Sequence, residues 1–304
     1  MKKKRKIICI GALSWDYIAI TNLQLKFGDD LPGQIKKKPG GVAGNIARAI
    51  SELSHTKNRF EIFLISALGN DSSGEELKKS LIRYDINCDY LITNKGNSDQ
   101  YVAIESGGKL VCAVSDNSQL LRAESKMITT LLREDVFRAK TKGKDILILD
   151  TNLTTKAFEK LSDENSFNNY DFVVVAASPK KVEDLTKFFK KRSVILYSNL
   201  DEAKMISNQN FNGTEEAARY LVEMGASSAI ITDSGNKVSS FCAHGLASIN
   251  PEKSKNVNAT GAGDFFLAAH LLSKILNPSY SPKKHLNTAE VTTREKIKAT
   301  KTII

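Results

Sequence analysis

The feature that most constrains this chain is an alternation between two hydrophobic periods. Apolar runs of strand length at 6–11, 60–65, 145–149, 171–176, 193–197 and 228–232 are separated by longer amphipathic segments. Those segments, at 43–53, 73–84, 153–163, 180–190, 199–207 and 214–225, space their apolar residues at helical intervals. A run such as Ile7-Ile8-Cys9-Ile10 has no polar alternation, so a strand built from it is buried on both faces. Strands of that kind alternating with helices form a mainly parallel sheet covered on both sides. The sequence therefore predicts an α/β fold, doubly wound around a mainly parallel sheet.

Two segments break the alternation. Residues 16–36 contain a β-like piece, Tyr17 to Thr21, before a polar turn at Gly28-Asp29-Asp30. Residues 99–115 read as a hairpin, Gln100 to Glu105 and Leu110 to Ser115 around Gly107-Gly108. Both fall straight after strand–helix units, so a small inserted β lid over one edge of the sheet accounts for them. With no internal repeat and no low-complexity linker, the 304 residues read as a single domain plus this lid.

Composition narrows the function classes. Hydrophobic residues make up 41% and charged residues 26% of the chain, enough to bury a core. No apolar run approaches the roughly 18–20 residues of a membrane span. The charged head Met1 to Lys6 is followed by too short an apolar stretch for a signal peptide. The expectation is a cytoplasmic protein without a membrane partner. The net charge of +10 raises the question of nucleic acid. The lysines, however, come in short runs at 36–38, 180–181, 190–191 and 283–284 beside acidic or apolar residues. They read as a solvated surface, and no nucleic-acid partner is expected. The four cysteines form no CxxC or Cys/His cluster, which argues against structural zinc and a disulfide framework.

Two glycine motifs carry the chemistry. Pro39-Gly40-Gly41-Val42-Ala43-Gly44-Asn45 places a glycine pair just before a helix. Glycines let backbone approach a ligand closely, and helix-start N–H groups bind oxygen-rich partners. The same pattern also serves as a tight turn into a helix. The second motif, Asn258-Ala259-Thr260-Gly261-Ala262-Gly263-Asp264, precedes an apolar helix from Phe265 to Ile275. A small-residue turn at a helix start favours developing negative charge. Asp264, at its mouth, either takes a proton from an attacking hydroxyl or caps the helix. No Walker A lysine is present, so this is not a P-loop.

In this order and separation, the two motifs resemble the signature regions of the ribokinase-like (PfkB-type) carbohydrate kinases. The resemblance covers nearly the whole chain and includes Gly11-Ala12, Asp16, Gly69-Asn70-Asp71 and Asn199 with Glu202. It implies ATP, Mg²⁺, a small-molecule sugar or nucleoside acceptor, and homodimers paired through the lid. It also implies residue roles. Asp264 matches the catalytic base, and the amides of Gly261, Ala262 and Gly263 match the anion hole. Asp16, Gly40, Gly41 and Asn45 match positions around the acceptor. Asn199, Glu202, Thr232, Gly235 and Thr260 match the nucleotide side, with Glu202 reaching Mg²⁺ through water. Within the family the sequence is most similar to pseudouridine kinases, through Asn258, Asp116 and Asp150-Thr151-Asn152. Asp116 and Asn152 then meet a uracil-like ring, or serve as turn and cap residues.

The sequence departs from the family at Ser234 and Lys237, where glycines are usual, and at Ala176-Ala177-Ser178-Pro179, where an Asp-Pro is usual. A side chain in place of a turn glycine requires a different turn or some strain. These changes bear on nucleotide affinity and donor choice. Two other readings compete with a nucleoside kinase: a free-sugar kinase of ribose or ketohexose type, and a ligand-binding homologue with weak catalysis.

Overall fold

Each buried strand shares its side chains between two cores, one on either face of the sheet. The computed structural model describes residues 4–54, 59–107, 109–138, 143–177, 185–252 and 261–301. In chain order, β1 (Arg5–Ile10) leads to β2 (Ser14–Thr21), β3 (Gln34–Gly40), α1 (Val42–Ser54) and β4 (Phe60–Ile65). The short β5 (Ala67–Gly69), α2 (Ser72–Ile82) and β6 (Ile92–Asn94) follow, then β7 (Gln100–Ser106) and β8 (Lys109–Asp116). Two helices, α3 (Ser118–Arg133) and α4 (Asp135–Arg138), precede β9 (Asp145–Asp150), α5 (Thr155–Ser162) and β10 (Tyr170–Val175). Next come α6 (Thr186–Lys191), β11 (Val194–Asn199), α7 (Leu200–Ser207), α8 (Thr214–Glu223) and β12 (Ser228–Thr232). The chain closes with β13 (Val238–Cys242), β14 (Gly245–Ile249), α9 (Ala262–Leu276) and α10 (Pro282–Lys301).

Eight strands form the main sheet in the order β14-β13-β12-β11-β10-β9-β1-β4. The six from β4 to β12 run parallel, and the last two add antiparallel at one edge. Ile8, Ile10, Leu147, Leu149, Phe172 and Val174 face one core, with α3, α5, α6 and α8. Their neighbours Ile7, Cys9, Ile146, Ile148, Val173 and Val175 face the other, with α1, α2, α9 and α10. This is the doubly wound sheet the apolar runs require. Among the described residues, no helix is long and apolar enough to cross a membrane.

Elements beyond the sequence reading include α3 and the edge strands β13 and β14. Helix α3 buries Leu120, Ala123, Met127 and Leu131, a spacing of three and four that signals a helix. The edge strands β13 and β14 pair Ser239 with Ser248 and Ser240 with Ala247. Such short, small and polar strands carry little β signal of their own and are held by the sheet they extend. The inserted segments do form a separate lid sheet, ordered β3-β2-β7-β8.

The lid leaves the sheet where the strand order reverses. From β1 the chain reaches β4 on one side, then returns to β9 on the other. Ligands of such sheets bind outside the carboxyl ends of the strands at this point. Here Asp150, the last residue of β9, is 1% exposed and gathers three backbone amides. Its Oδ2 accepts from Ala12 N at 2.7 Å and Ala43 N at 3.1 Å, and its Oδ1 accepts from Asn152 N at 2.9 Å. Gly11 leaves room for this carboxylate, since a Cβ there falls 2.1 Å from Asp150 Oδ2. Burial pushes the carboxyl upward, and the amides of Ala12, Asn152 and Ala43 oppose that shift.

Replacing Asp150 with Ala strands three amides without partners. An unfolding free energy lower by about 2–4 kcal/mol is expected, read from urea denaturation; an unchanged midpoint contradicts this role.

Candidate active site

The second glycine motif opens onto a cleft of about 640 Å³. Helix α9 begins after Gly261, whose φ of +91° is left-handed and suits glycine. Asp264 is the third residue of the helix rather than its cap. The first-turn amides of a helix have no partner within it, and Ala262, Gly263 and Asp264 line the cleft. Nothing lies within 4 Å of a Cβ placed on Gly263 or on Gly235, so both present open backbone. Thr232, Gly235, Asn199 and Glu202, the residues expected on the nucleotide side, border the same cleft. Asn258 and Thr260 lie outside the described residues.

Asn199 and Glu202 form a capping box at the start of α7. Asn199 Oδ1 accepts from Glu202 N at 2.7 Å, and Glu202 Oε2 accepts from Asn199 N at 2.8 Å. This reciprocal pair fixes the glutamate at the cleft wall. At the turn after β12, Ser234 adopts φ +46°, so the serine that replaces a family glycine is held left-handed, at about 1–2 kcal/mol. Asn236 N donates to Asp233 O at 2.8 Å and closes the turn. Lys237 turns outward to Glu215 at 3.1 Å.

The first glycine motif supplies the other half. Asp16 on β2 is 4% exposed and accepts from Ser14 Oγ at 3.1 Å and from the Gly41 amide. A Cβ on Gly40 falls 1.8 Å from the Asp16 carboxylate, and one on Gly41 falls 2.4 Å from Ala12 O. Both glycines are therefore required by close approach, and Gly41 also by its φ of +78°. Asn45, on the first turn of α1, donates from Nδ2 to Asp264 Oδ2 at 2.8 Å. One hydrogen bond thus joins motifs 219 positions apart.

The structure brings together Asp16, Gly40, Gly41, Asn45 and Asp264, and places Asp116 and Asn152 differently. Strand residues paired across a sheet share a face, so Asp16, Lys38, Tyr101 and Ser115 lie on one side of the lid. Asp116 pairs with Gln100, which pairs in turn with Trp15, on the other, and its Oδ1 accepts from Ser118 N at 3.0 Å. Asn152 is 7% exposed; its Oδ1 accepts from Asn117 Nδ2 at 3.1 Å, and its side chain supports Asp150. Two cations escaped the sequence reading. Lys38, within a lysine run read as surface, is half-buried between Asp16 and Asp264. Arg48 lies one helical turn beyond Asn45, and that spacing was the available signal.

Four charges of alternating sign therefore crowd the mouth of the lid. Burial raises the Asp16 carboxyl, against the pull of Lys38, Ser14 and Arg48. Burial lowers Lys38 and Arg48, and the two aspartates resist this. Asp264 is half-buried, lining the cleft with its carboxyl against Asn45. Burial pushes it up to about 7; the Asn45 hydrogen bond opposes, and the charges of Asp150 and Asp16 assist. Glu202 is likewise pushed up to about 7 by burial, with the Asn199 amide opposing and Asp264 adding to the rise. A carboxylate poised near neutral pH is suited to proton transfer.

A helix start with unpaired amides thus faces a glycine loop that carries a buried aspartate, and the Asn45–Asp264 hydrogen bond joins the two. The pattern of the pfkB family carbohydrate kinases matches residues 4–302, and the chain belongs to that family, whose members transfer phosphoryl groups to hydroxyls. It is 25% identical to the pseudouridine kinase of Escherichia coli (strain K12), over 88% of this chain and 83% of that one. It is 23% identical to the pseudouridine kinase of Arabidopsis thaliana, over 83% and 68% respectively. The Arabidopsis thaliana ribokinase complexed with ribose and ATP superposes with a TM-score of 0.71 at 13% identity, covering 96% of this chain and 92% of that one. These relationships establish a nucleoside or sugar kinase on a ribokinase-like fold.

The raised Asp264 carboxyl has a consequence for stability. Its folded value of about 7 exceeds the ordinary value of about 3.9, so the folded state holds a proton that the unfolded state releases. That contribution is complete below pH 4 and is lost as pH rises through 7. Asp264→Asn should therefore leave the melting temperature near that of the wild type at pH 4 and raise it by a few degrees at pH 8, followed by calorimetry. A difference that shrinks as pH rises contradicts the assignment.

Proposed function

We propose that this protein phosphorylates a nucleoside hydroxyl, with pseudouridine preferred over free ribose and ATP with Mg²⁺ as donor. The observation that carries the kinase reading is the Asn45–Asp264 hydrogen bond of 2.8 Å. It sets the acceptor-side loop, the proton-accepting carboxylate and the helix terminus that receives negative charge against one another. In this reading Asp16 and Asn45 hold acceptor hydroxyls, and Asp264 takes the proton from the attacking one. The amides of Gly261, Ala262 and Gly263 meet the charge that builds on the transferred group.

The residues present fit the donor and its ion. The open backbone at Gly263 and Gly235 admits phosphates without a side chain in the way. Among the described residues no group of three or more acidic, cysteine or histidine side chains forms a metal cage. Mg²⁺ suits such a site, because it keeps several waters and binds through one or two carboxylates plus phosphates. Glu202, steadied by its capping box, would hold that ion through water. When bound, the ion neutralises charge on the phosphate oxygens. The remaining chemistry belongs to the protein groups named above.

The choice of acceptor is supported by likeness to the two pseudouridine kinases and by Asn258. Initial rates with pseudouridine, uridine and ribose at saturating Mg·ATP should rank pseudouridine first by kcat/KM. Equal values for pseudouridine and ribose would leave a free-sugar kinase. Asp264→Asn should lower kcat about 10²–10⁴-fold with little change in acceptor affinity, and a variant within threefold of wild type removes the general base.

The lid supports a homodimer. On the face away from Asp16, Ile35, Val102 and Val114 are 75%, 42% and 71% exposed, and β8 is exposed along its whole length. An apolar face on an edge strand favours pairing with a second copy. Light scattering should report a dimer for wild type and a monomer for Val114→Lys; a monomeric wild type refutes the arrangement.

A further inference from the structure

Arg48 is part of neither half of the site, yet it grips the residue that joins them. Its Nη2 donates to Asn45 Oδ1 at 2.6 Å and to Gly40 O at 3.3 Å. The guanidinium packs beside Gly44, where a Cβ would lie 3.4 Å from Nη1 and 2.9 Å from Leu13 Cδ1. Nη1 itself is buried and makes no hydrogen bond. Burying an unsatisfied cationic nitrogen works against stability, so packing alone does not explain why an arginine stands here.

A guanidinium has only donors. The atom of Asn45 that Arg48 touches is therefore the carbonyl oxygen, and the opposite face of the amide, Nδ2, must point to Asp264. Turned over, the amide would place its oxygen against the carboxylate, an arrangement that tolerates only a protonated Asp264. We infer that Arg48 is a positioning residue that locks the Asn45 amide with its N–H toward Asp264 and so keeps Asp264 a proton acceptor. Asp264 is also faced by Asp16 from β2, Lys38 from β3, Asp150 at the end of β9 and Glu202 from α7. Three of these four are acidic and favour protonation. The lock works against them through a hydrogen bond and adds a positive charge.

This inference rests on Asp264 being the base, but one of its tests requires no turnover. In apoprotein labelled with carboxyl-¹³C aspartate, the Asp264 resonance, assigned through Asp264→Asn, should titrate near neutral pH. Arg48→Met should move that titration up by about one unit, equivalent to tenfold in proton affinity. Arg48→Lys, which keeps the charge, should move it in the same direction by less. In kinetics with pseudouridine and Mg·ATP, Arg48→Met should lower kcat/KM about fivefold at pH 7. The loss should disappear by pH 9, with KM for ATP unchanged. Combined with Asn45→Ala, Arg48→Met should add much less than it does alone, because the amide it steers is gone. An unmoved Asp264 titration in both variants, a rate loss equal at every pH, or fully additive losses with Asn45→Ala would each overturn the inference. Absence of turnover with every acceptor would defeat the kinase reading while leaving the titration to decide the lock.

Discussion

The architecture of the site depends on a carboxylate that never meets solvent. Asp150 binds the backbone just past β1, the first turn of α1 and the turn after β9. Those three segments meet at the reversal of strand order, where Gly44 N also donates to Ala12 O at 3.2 Å. The node sets the approach of α1 to the end of β1, alongside the pairing of Gly40 with Ser14 in the lid. The requirement propagates outward. Gly11 must lack a side chain to admit Asp150, Gly41 must lack one to pass Ala12, and Gly40 must lack one to seat Asp16. A run of glycines near a ligand is thus, in this chain, largely a record of what the protein's own carboxylates need.

Around that node the charges are arranged to be balanced but not relaxed. Asp16, Lys38, Arg48 and Asp264 hold one another in a space where burial penalises all four. Removing either cation leaves the two carboxylates less compensated, and a buried unpaired charge is costly. The same tension is what keeps Asp264 near the middle of the physiological range. A more solvated carboxylate would be too weak a base, and a more isolated one would stay protonated. On the opposite wall, Glu202 serves two ends, closing the capping box of α7 while facing the cleft. Structural and chemical demands on that residue reinforce each other, since the cap holds the carboxylate still.

Much of this was legible in the residues themselves. The buried strands betrayed themselves by apolar runs, and the lid by its break in rhythm. The glycine motifs showed helix starts open to oxygen-rich groups, and the roles of their residues came from the resemblance to the family. The strain at Ser234 followed from a side chain where the family has none. The edge strands β13 and β14 were hidden because their mixed, serine-rich residues acquire a β conformation only from the neighbouring sheet. Lys38 and Arg48 were hidden because a lysine or arginine looks the same in sequence whether it is solvated or enclosed between two carboxylates.

The sequence by itself determined the layers of the fold, the position of the lid, and the chemical character of the two glycine motifs. Those properties are local, set by hydrophobic period, turn residues and the unpaired amides of a helix start. Only the tertiary structure decided which distant groups face one another: Asn45 to Asp264, Asp150 to the amides of Ala12 and Ala43, and Asp116 turned to the far face of the lid. Partnership across a hundred or more residues depends on crossover geometry and strand register. A register shift of one residue exchanges every face, and no local pattern records it.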